Sequence, residues 1–362
     1  MRKIILLIFL CTLAAGNIFA QENTNWAKTA ITDLDYMYQM YRDNHVAVVD
    51  PENPKFKKKL EKEYKKARKR ALKAKTEKEY QAALKSMLTP FKDGHIKVIF
   101  NDELNAAGNM YKEDVGYTKP LSLEKFGKNN AWVYIHTLGE EKEEYEKLAG
   151  QLESNSDKDI IVLDVRYNGG GMSSNGNIIL GGLYGEEYVE AVQEKLMGNM
   201  AVFFRVTPWI ISKLEEQESV SPEAMKELKE ALQKNEEIKR FKIKTDFKYS
   251  EIPQTNIKSK VYVLTNGGCF SSCLDFMDML KTIGNVTQVG RETGADTKYP
   301  HVARAYLPSG NGRFLIAIKG WFGRVRDDNE TYKPDYVYKG DINDTKTIQN
   351  WIIQLDGKRN GR

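Results

Sequence analysis

Residues 261–276 read VYVLTNGGCFSSCLDF, an apolar run followed by a glycine turn and a pair of serines. The unbroken apolar and β-branched residues of 261–264 predict a strand that is buried on both faces. The two glycines permit a tight turn, and a helix is expected to begin at Ser271 and Ser272. A strand that leads through a short turn into a helix is typical of α/β domains.

The same alternation continues through most of the chain after Phe91. Helical patterns over 140–152, 271–283 and 345–355 follow several of the β-rich runs. The runs, each bounded by Gly, Asn or Asp, cover 96–100, 131–136, 159–163, 260–264, 286–289 and 314–318. Together they predict an α/β domain over 93–362 with both sheet faces largely covered. A charged, helix-patterned stretch at about 184–257 is too long for a connection and predicts an inserted lid.

The residues before Phe91 have a different periodicity. Apolar side chains recur every three or four positions between Trp26 and Phe91, which predicts three amphipathic helices. The prolines at 51 and 54 separate the first two helices, and Thr76 with Glu79 forms a capping box that opens the third. We therefore expect a small helical domain over 21–92.

The first 20 residues have the pattern of an export signal. Arg2 and Lys3 precede an apolar run over 4–15, which is too short for an ordinary membrane-spanning helix. Cleavage after Ala20 would leave a periplasmic or extracellular chain that begins at Gln21, and the alternative is an uncleaved anchor.

The charge of the chain is nearly balanced but unevenly distributed. The 55 Lys and Arg residues and 50 Asp and Glu residues give a net charge of +5, weaker than that of a dedicated nucleic-acid-binding protein. Residues 55–75 alone carry twelve basic and two acidic residues, net +10. This segment predicts either contact with an anionic surface or an ordinary solvated helix face. No aromatic residues interleave with its bases on the polar face of the helix, which argues against single-stranded nucleic acid.

Four short motifs could carry chemistry. His95, in the turn Asp93-Gly94-His95, could be a general base or part of a structural turn. Residues 163–171 (LDVRYNGGG) end a strand in three glycines whose amides could form an oxyanion hole, a phosphate cradle or a turn without a ligand. Ser271 stands where it could be a nucleophile or a helix N-cap. Residues 289–296 (VGRETGAD) form a fourth glycine turn, which alone indicates little.

Several alternatives are excluded by missing patterns. Neither the phosphate-binding GxxxxGK[ST] nor the dinucleotide-binding GxGxxG follows the strand at 159–163. The GxSxG nucleophile turn of α/β-hydrolases is also absent. Cys269 and Cys273 lack the further ligands that a zinc site needs. We expect no metal and no cofactor.

The four motifs, in this order, resemble those of the C-terminal processing peptidases and, more closely, their tricorn-core branch. Residues 91–95 (FKDGH) are similar to the end of the family's N-terminal helical bundle, 164–171 to its DLRxNxGG turn, and 269–275 to its CxSACLD nucleophile turn. The resemblance implies a ClpP/crotonase-like catalytic domain after a small helical bundle. It also implies a serine peptidase that acts on peptides or unfolded proteins.

The resemblance also implies the roles of individual residues. Ser271 would be the nucleophile and His95 its general base. The amides of Gly169 or Gly170, together with that of Ser272, would bind the oxyanion.

The chain departs from the family pattern in three places, one of which is Leu274, where an acidic residue is common after the nucleophile. Asp296 stands where processing peptidases of the Ser–Lys type have a lysine, so such a dyad is not expected, and Lys298 lies two residues away. No stretch between His95 and Asp159 has the pattern of a PDZ domain. A non-catalytic periplasmic or surface ligand-binding protein on the same fold is the alternative function.

Two further details stay open in the sequence. The acidic residue that orients the site in the tricorn branch could be Asp327, Asp328 or Glu330, of which Glu330 is preferred. Because an exported compartment permits disulfides, Cys269 and Cys273 could be paired across the turn that holds Ser271.

Overall fold

The computed structural model describes residues 25–103, 121–243, 248–255 and 257–359. The predicted signal segment over 1–20 and its cleavage site lie outside these ranges. Within them, no helix has both the length and the apolar character needed to cross a bilayer.

Three helices occupy the described N-terminal stretch: α1 (Trp26–Asn44), α2 (Phe56–Ala71) and α3 (Glu77–Leu88). The hydroxyl of Thr76 caps α3 by accepting a bond from the Glu79 amide at 3.3 Å, and the Glu79 carboxylate reaches back to the Lys75 amide. The three helices pack through a shared apolar core in which Leu34, Leu60 and Leu84 are buried.

The larger sheet holds the remaining motifs. Among the described residues it has six strands, β2 (Ser122–Phe126), β3 (Asn130–Tyr134), β4 (Ile160–Asp164), β7 (Lys260–Thr265), β8 (Val286–Gly290) and β11 (Tyr336–Val337). Their order is β11-β8-β7-β4-β3-β2, and every neighbouring pair except β2 and β3 is parallel.

Apolar side chains cover both faces of this sheet, as the unbroken apolar strands require. In β4, Ile161 and Leu163 face one core while Ile160 and Val162 face another. The helices that surround the sheet are α4 (Lys142–Glu153), α5 (Ser173–Tyr184), α6 (Glu186–Met197), α9 (Ser272–Ile283) and α10 (Thr345–Arg359). Of these, α10 packs through Ile348 and Ile352 against the core that contains Ile160 and Val162.

A second, antiparallel sheet joins the helical lead-in to the rest of the chain. It contains β1 (Val98–Phe100), β5 (Ala201–Arg205), β6 (Ile238–Lys242), β9 (His301–Tyr306) and the long β10 (Gly312–Phe322). Among its described residues, the predicted insertion over about 184–257 contains the strands β5 and β6 and the helices α6, α7 (Pro208–Glu216) and α8 (Pro222–Gln233). Because β5 pairs with β10, this segment forms part of the second sheet and not only a helical lid.

The basic segment forms α2 and its flanks, with the apolar side toward the core. Phe56, Leu60 and Ala67 are buried in the helical core. The lysines at 58, 62, 65 and 69 lie exposed on the opposite side. This surface, called the basic face below, is consistent with both alternatives that the sequence left open.

Candidate active site

Three of the four motifs meet at one edge of the larger sheet. Asp164, Leu264 and Val289 are in register on the adjacent parallel strands β4, β7 and β8. The turns that follow these strands therefore start side by side, as the carboxyl ends of parallel strands must. The fourth motif, with His95, arrives from the segment before β1 in the other sheet.

Ser271 has a strained backbone and does not cap the helix it precedes. Its φ of 58° and ψ of −129° fall in a region that L-residues rarely adopt. It is the N-cap residue of α9, but its side chain makes no capping hydrogen bond. The hydroxyl instead lies within hydrogen-bond distance of a histidine ring nitrogen.

The histidine in contact with Ser271 is His95. Its Nε2 lies 3.2 Å from Ser271 Oγ, although the two residues are 176 positions apart in the chain. The His95 ring packs against Phe270 at 4.8 Å between ring centres and is only 5% exposed. At this distance the imidazole can take the proton of the serine hydroxyl.

The acidic residue beside His95 is Asp93, which sequence reasoning did not select. Its Oδ1 accepts the His95 amide at 2.8 Å and lies 3.3 Å from His95 Nδ1, although that Nδ1 contact lacks hydrogen-bond geometry. Its other oxygen, Oδ2, accepts the Thr297 hydroxyl. Burial raises the pKa of Asp93, but its contacts with His95 and Thr297 outweigh burial and hold that pKa below its usual value. Asp93 is therefore an anion next to the histidine.

Two asparagines hold the glycine turns together. Asn266 Oδ1 accepts the amides of Tyr167 and Gly268 at 2.8 and 3.0 Å, and the Phe270 amide donates to Asn168 O at 3.0 Å. The turn after β4 and the turn that carries Ser271 are thus joined by hydrogen bonds on both sides.

The predicted oxyanion donors are not equivalent in the structure. The Gly170 amide is bonded to Asn168 Oδ1 at 2.9 Å, so it is not available to a substrate in this arrangement. Within the described part of the chain, the amides of Gly169 and Ser272 have no acceptor. Gly170 serves a steric purpose, because a Cβ there would stand 2.8 Å from both Ser271 Cβ and Ser272 N. Of the two glycines offered by the sequence, Gly169 is therefore the better donor.

Cys269 and Cys273 form a disulfide, with their Cα atoms 5.5 Å apart. Ser271 lies midway between the two cysteines with one residue on each side, and both cysteines are fully buried. This confirms the pairing that the sequence left as a possibility.

The structure does not support Glu330 as the orienting acid. Glu330 is exposed, and its carboxylate accepts the Asp327 amide at 2.8 Å. Asp328, another candidate, accepts the Lys298 amide. None of the three acidic candidates contacts His95 in the described contacts. The Asp93-Gly94-His95 motif itself could have indicated Asp93, because the carboxylate of an Asp can accept a hydrogen bond from the backbone amide two residues later, here that of His95.

The residues at and near the Ser–Lys position are engaged elsewhere. Asp296 is buried and lies 2.8 Å from Arg324 and 3.1 Å from Arg326. Lys298 lies 2.8 Å from Asp50, at the seam with the helical lead-in. In the described part of the chain, neither Asp296 nor Lys298 is bonded to Ser271.

An α/β fold in which a serine and a histidine meet at the carboxyl edge of a parallel sheet is the arrangement of a hydrolytic enzyme. The chain belongs to peptidase family S41, because the model of that family matches residues 121–336. A search of curated proteins finds no match to the sequence.

Solved structures of mature CPAF show the same fold. Mature CPAF, in a complex with lactacystin, is 12% identical, with 91% of this chain and 99% of CPAF aligned at a TM-score of 0.54. Mature CPAF without that compound gives the same identity and TM-score. The tricorn protease is also 12% identical, with 91% of this chain but 37% of tricorn aligned at a TM-score of 0.46. The predicted crotonase-like α/β fold with a helical lead-in is confirmed.

Proposed function

We propose that this S41 family member is a serine peptidase that hydrolyses peptide bonds through an acyl-enzyme on Ser271, with His95 as general base. The observation that carries the proposal is the 3.2 Å contact between Ser271 Oγ and His95 Nε2, made by a serine whose backbone is strained and whose side chain caps nothing. Strained backbone at a site of this kind is characteristic of functional residues.

The chemistry follows from the positions of the groups. Ser271 Oγ attacks the carbonyl carbon of the substrate while His95 Nε2 takes the hydroxyl proton. The amides of Gly169 and Ser272 would then donate to the oxyanion of the tetrahedral intermediate. When the C–N bond breaks, His95 returns the proton to the leaving amine. Water then attacks the acyl-enzyme, with His95 again as base, and releases the acid product and free Ser271.

Asp93 is a positioning residue in this scheme. His95 Nε2 must be unprotonated to accept the serine proton, so the ring hydrogen belongs on Nδ1. Nδ1 lies 3.3 Å from Asp93 Oδ1, and an anionic Asp93 favours that tautomer and stabilises the imidazolium that forms.

The test is covalent labelling with a fluorophosphonate probe. We expect the wild type to be labelled and Ser271→Ala to be unlabelled, whereas Ser154→Ala, which alters an exposed serine at a helix end, should be labelled like the wild type. Equal labelling of the wild type and Ser271→Ala, or no labelling of the folded wild type, would overturn the proposal. The second outcome would favour the ligand-binding alternative.

Export is a separate part of the proposal and rests on residues 1–20. Sequencing the N-terminus of protein recovered from its own cells should give Gln21 as the first residue. Recovery of a chain that retains the apolar segment would contradict cleavage.

A further inference from the structure

A cavity of about 130 Å³ lies next to the active-site turns, and the proposed mechanism does not use it. Two of its walls begin at those turns. Ser173 opens α5 directly after the turn at 167–171, and Asp275 lies on α9, four residues after Ser271. Four helical residues correspond to about 6 Å along the axis, so Asp275 lies about one helical turn from the nucleophile.

The cavity is lined mainly by large apolar side chains. They come from α6 and the residues after it, from α9, and from the end of β10, and they are Leu196, Met197, Met200, Met279, Trp321 and Val325. Val325 is 57% exposed and lies in this lining, and Met172, next to Ser173, is 64% exposed. Exposed large apolar residues beside a cleft are typical of a binding site.

The charged groups that reach the cavity already have partners. Asp275 accepts the Ser173 hydroxyl at 2.6 Å and lies 3.6 Å from Arg326. Asp278 is buried against Arg326, and Arg324 belongs to the same group of ion pairs. No charge in the described lining is left to attract an oppositely charged guest. The cavity therefore favours an apolar occupant.

The volume suits one large side chain. An apolar protein cavity of roughly 150 Å³ can hold a benzene ring. At about 130 Å³, this cavity has room for the side chain of phenylalanine, leucine or methionine. The methionines in its wall are unbranched and flexible, so they can adjust to guests of different shape.

We propose that this cavity binds the side chain of the substrate residue whose carbonyl group Ser271 attacks, and that it selects large apolar residues at that position. This inference rests on the proposed peptidase function. The candidate oxyanion amides lie in the two turns from which α5 and α9 begin. The side chain on the carbon next to the scissile carbonyl is therefore the one nearest to the cavity walls.

The selection can be measured without catalysis. Two acetylated tetrapeptides with free carboxylates, one of three alanines and a terminal phenylalanine and one of four alanines, are titrated calorimetrically into the Ser271→Ala variant. We expect the phenylalanine peptide to bind at least about tenfold more tightly, as burial of that side chain predicts. Affinities within twofold of each other would overturn the proposal.

Variants that fill the cavity with a larger side chain test whether the preference for phenylalanine arises in the cavity. Met197→Trp is combined with Ser271→Ala, and Met200→Trp replaces it if that variant does not fold. Either filling variant should abolish the difference in affinity between the two peptides. The control is Val337→Trp, which also introduces a tryptophan, because Val337 is 60% exposed and lies on β11 outside the cavity lining. A tenfold preference that survives the filling variants would overturn the assignment.

The two proposals fail in different ways. A phenylalanine preference in Ser271→Ala, together with a wild type that the fluorophosphonate does not label, would keep the side-chain site and reject the peptidase function. Labelling of the wild type without any preference between the peptides would keep the peptidase function and reject the side-chain site.

Discussion

The ring of Phe270 occupies the space that a side chain at Gly94 would need. A Cβ at Gly94 would stand 2.5 Å from Phe270 Cζ, closer than any real contact of this kind. Phe270 precedes the serine and Gly94 precedes the histidine, so this contact sets how closely the two motifs approach.

Gly94→Ala should therefore push the histidine away from the serine. We expect kcat/KM to fall by about tenfold to a hundredfold, because small displacements of catalytic groups cost this much. The double variant Gly94→Ala/Phe270→Leu should recover most of the loss. Gly150→Ala is the control, since a Cβ at Gly150 meets nothing within 4 Å. No loss in Gly94→Ala would show that this contact does not position His95.

Asp93 and Glu330 can be compared directly. Asp93→Asn should lower kcat by about a hundredfold or more, because the anion that favours the correct tautomer of His95 is lost. Glu330→Gln should leave kcat within about twofold, since its carboxylate is exposed and bonded to the Asp327 amide. The pH–rate profile of Asp93→Asn should also shift, which a merely structural role would not produce. The opposite ranking of the two variants would restore Glu330 as the orienting acid.

His45 should make the protein less stable in mild acid. Burial lowers the pKa of His45 to about 3, against 6.5 in the unfolded chain. Between these values the unfolded state binds more protons than the folded state, so stability falls as the pH falls. The loss from pH 7 to pH 5 should be about 2 kcal/mol.

His45→Asn should remove that loss while it keeps the turn. The Asn side-chain oxygen can replace His45 Nδ1, which accepts the Ala47 amide at 3.1 Å. Urea unfolding at pH 7 and pH 5 measures both proteins. His301, whose pKa burial lowers to about 4, is present in both and contributes equally. An unchanged pH dependence in His45→Asn would contradict the assignment.

The disulfide should matter more to the turn than to the whole fold. It closes a loop with a sequence separation of only 4, for which loop entropy predicts about 2 kcal/mol of stabilisation. The Cys269→Ala/Cys273→Ala variant should lose about this much in urea unfolding and should react more slowly with the fluorophosphonate. Alkylation of both cysteines in native, unreduced protein would show that the bond is absent in cells.

Lipid vesicles can distinguish the two alternatives for the basic face, contact with an anionic surface or an ordinary solvated helix face. Lys58, Lys62 and Lys69 lie exposed on it and have no ion pair within the described residues. A triple change of these lysines to Gln should weaken sedimentation with phosphatidylglycerol vesicles by at least about tenfold, since each base near such a surface contributes about 1 kcal/mol. A triple Gln change at Lys128, Lys226 and Lys234 is the control. Equal binding to phosphatidylcholine vesicles, or no binding in low salt, would favour a solvated face.

The strand-and-turn motifs were predictable because their signal is local. Apolar strand residues and the glycines that follow them lie next to each other in the chain, so β4, β7 and β8 and their turns were located from sequence. The helix α5 could not be located in this way, because its glycines argue against a helix. Gly182 is required there by packing, since a Cβ at this position would lie 2.4 Å from Ala149 O.

The carboxylate beside His95 was not predicted, for a related reason. Several carboxylates lie near the motifs in sequence, and only the fold shows which of them turns inward. Asp93 does so because the Thr297 hydroxyl and the His95 amide both reach it. These contacts span 204 and 2 positions of the chain, and the longer one has no sequence signal.

The site residues come from distant parts of the chain and are therefore synthesised at different times. His95 leaves the ribosome long before Ser271, and Thr297, which holds Asp93, follows later still. Under the proposed mechanism, an incomplete chain carries either a base without a nucleophile or a serine–histidine pair whose Asp93 is not yet bonded to Thr297. Completion of the fold is then the activation step, and a nascent or locally opened molecule cannot digest its neighbours.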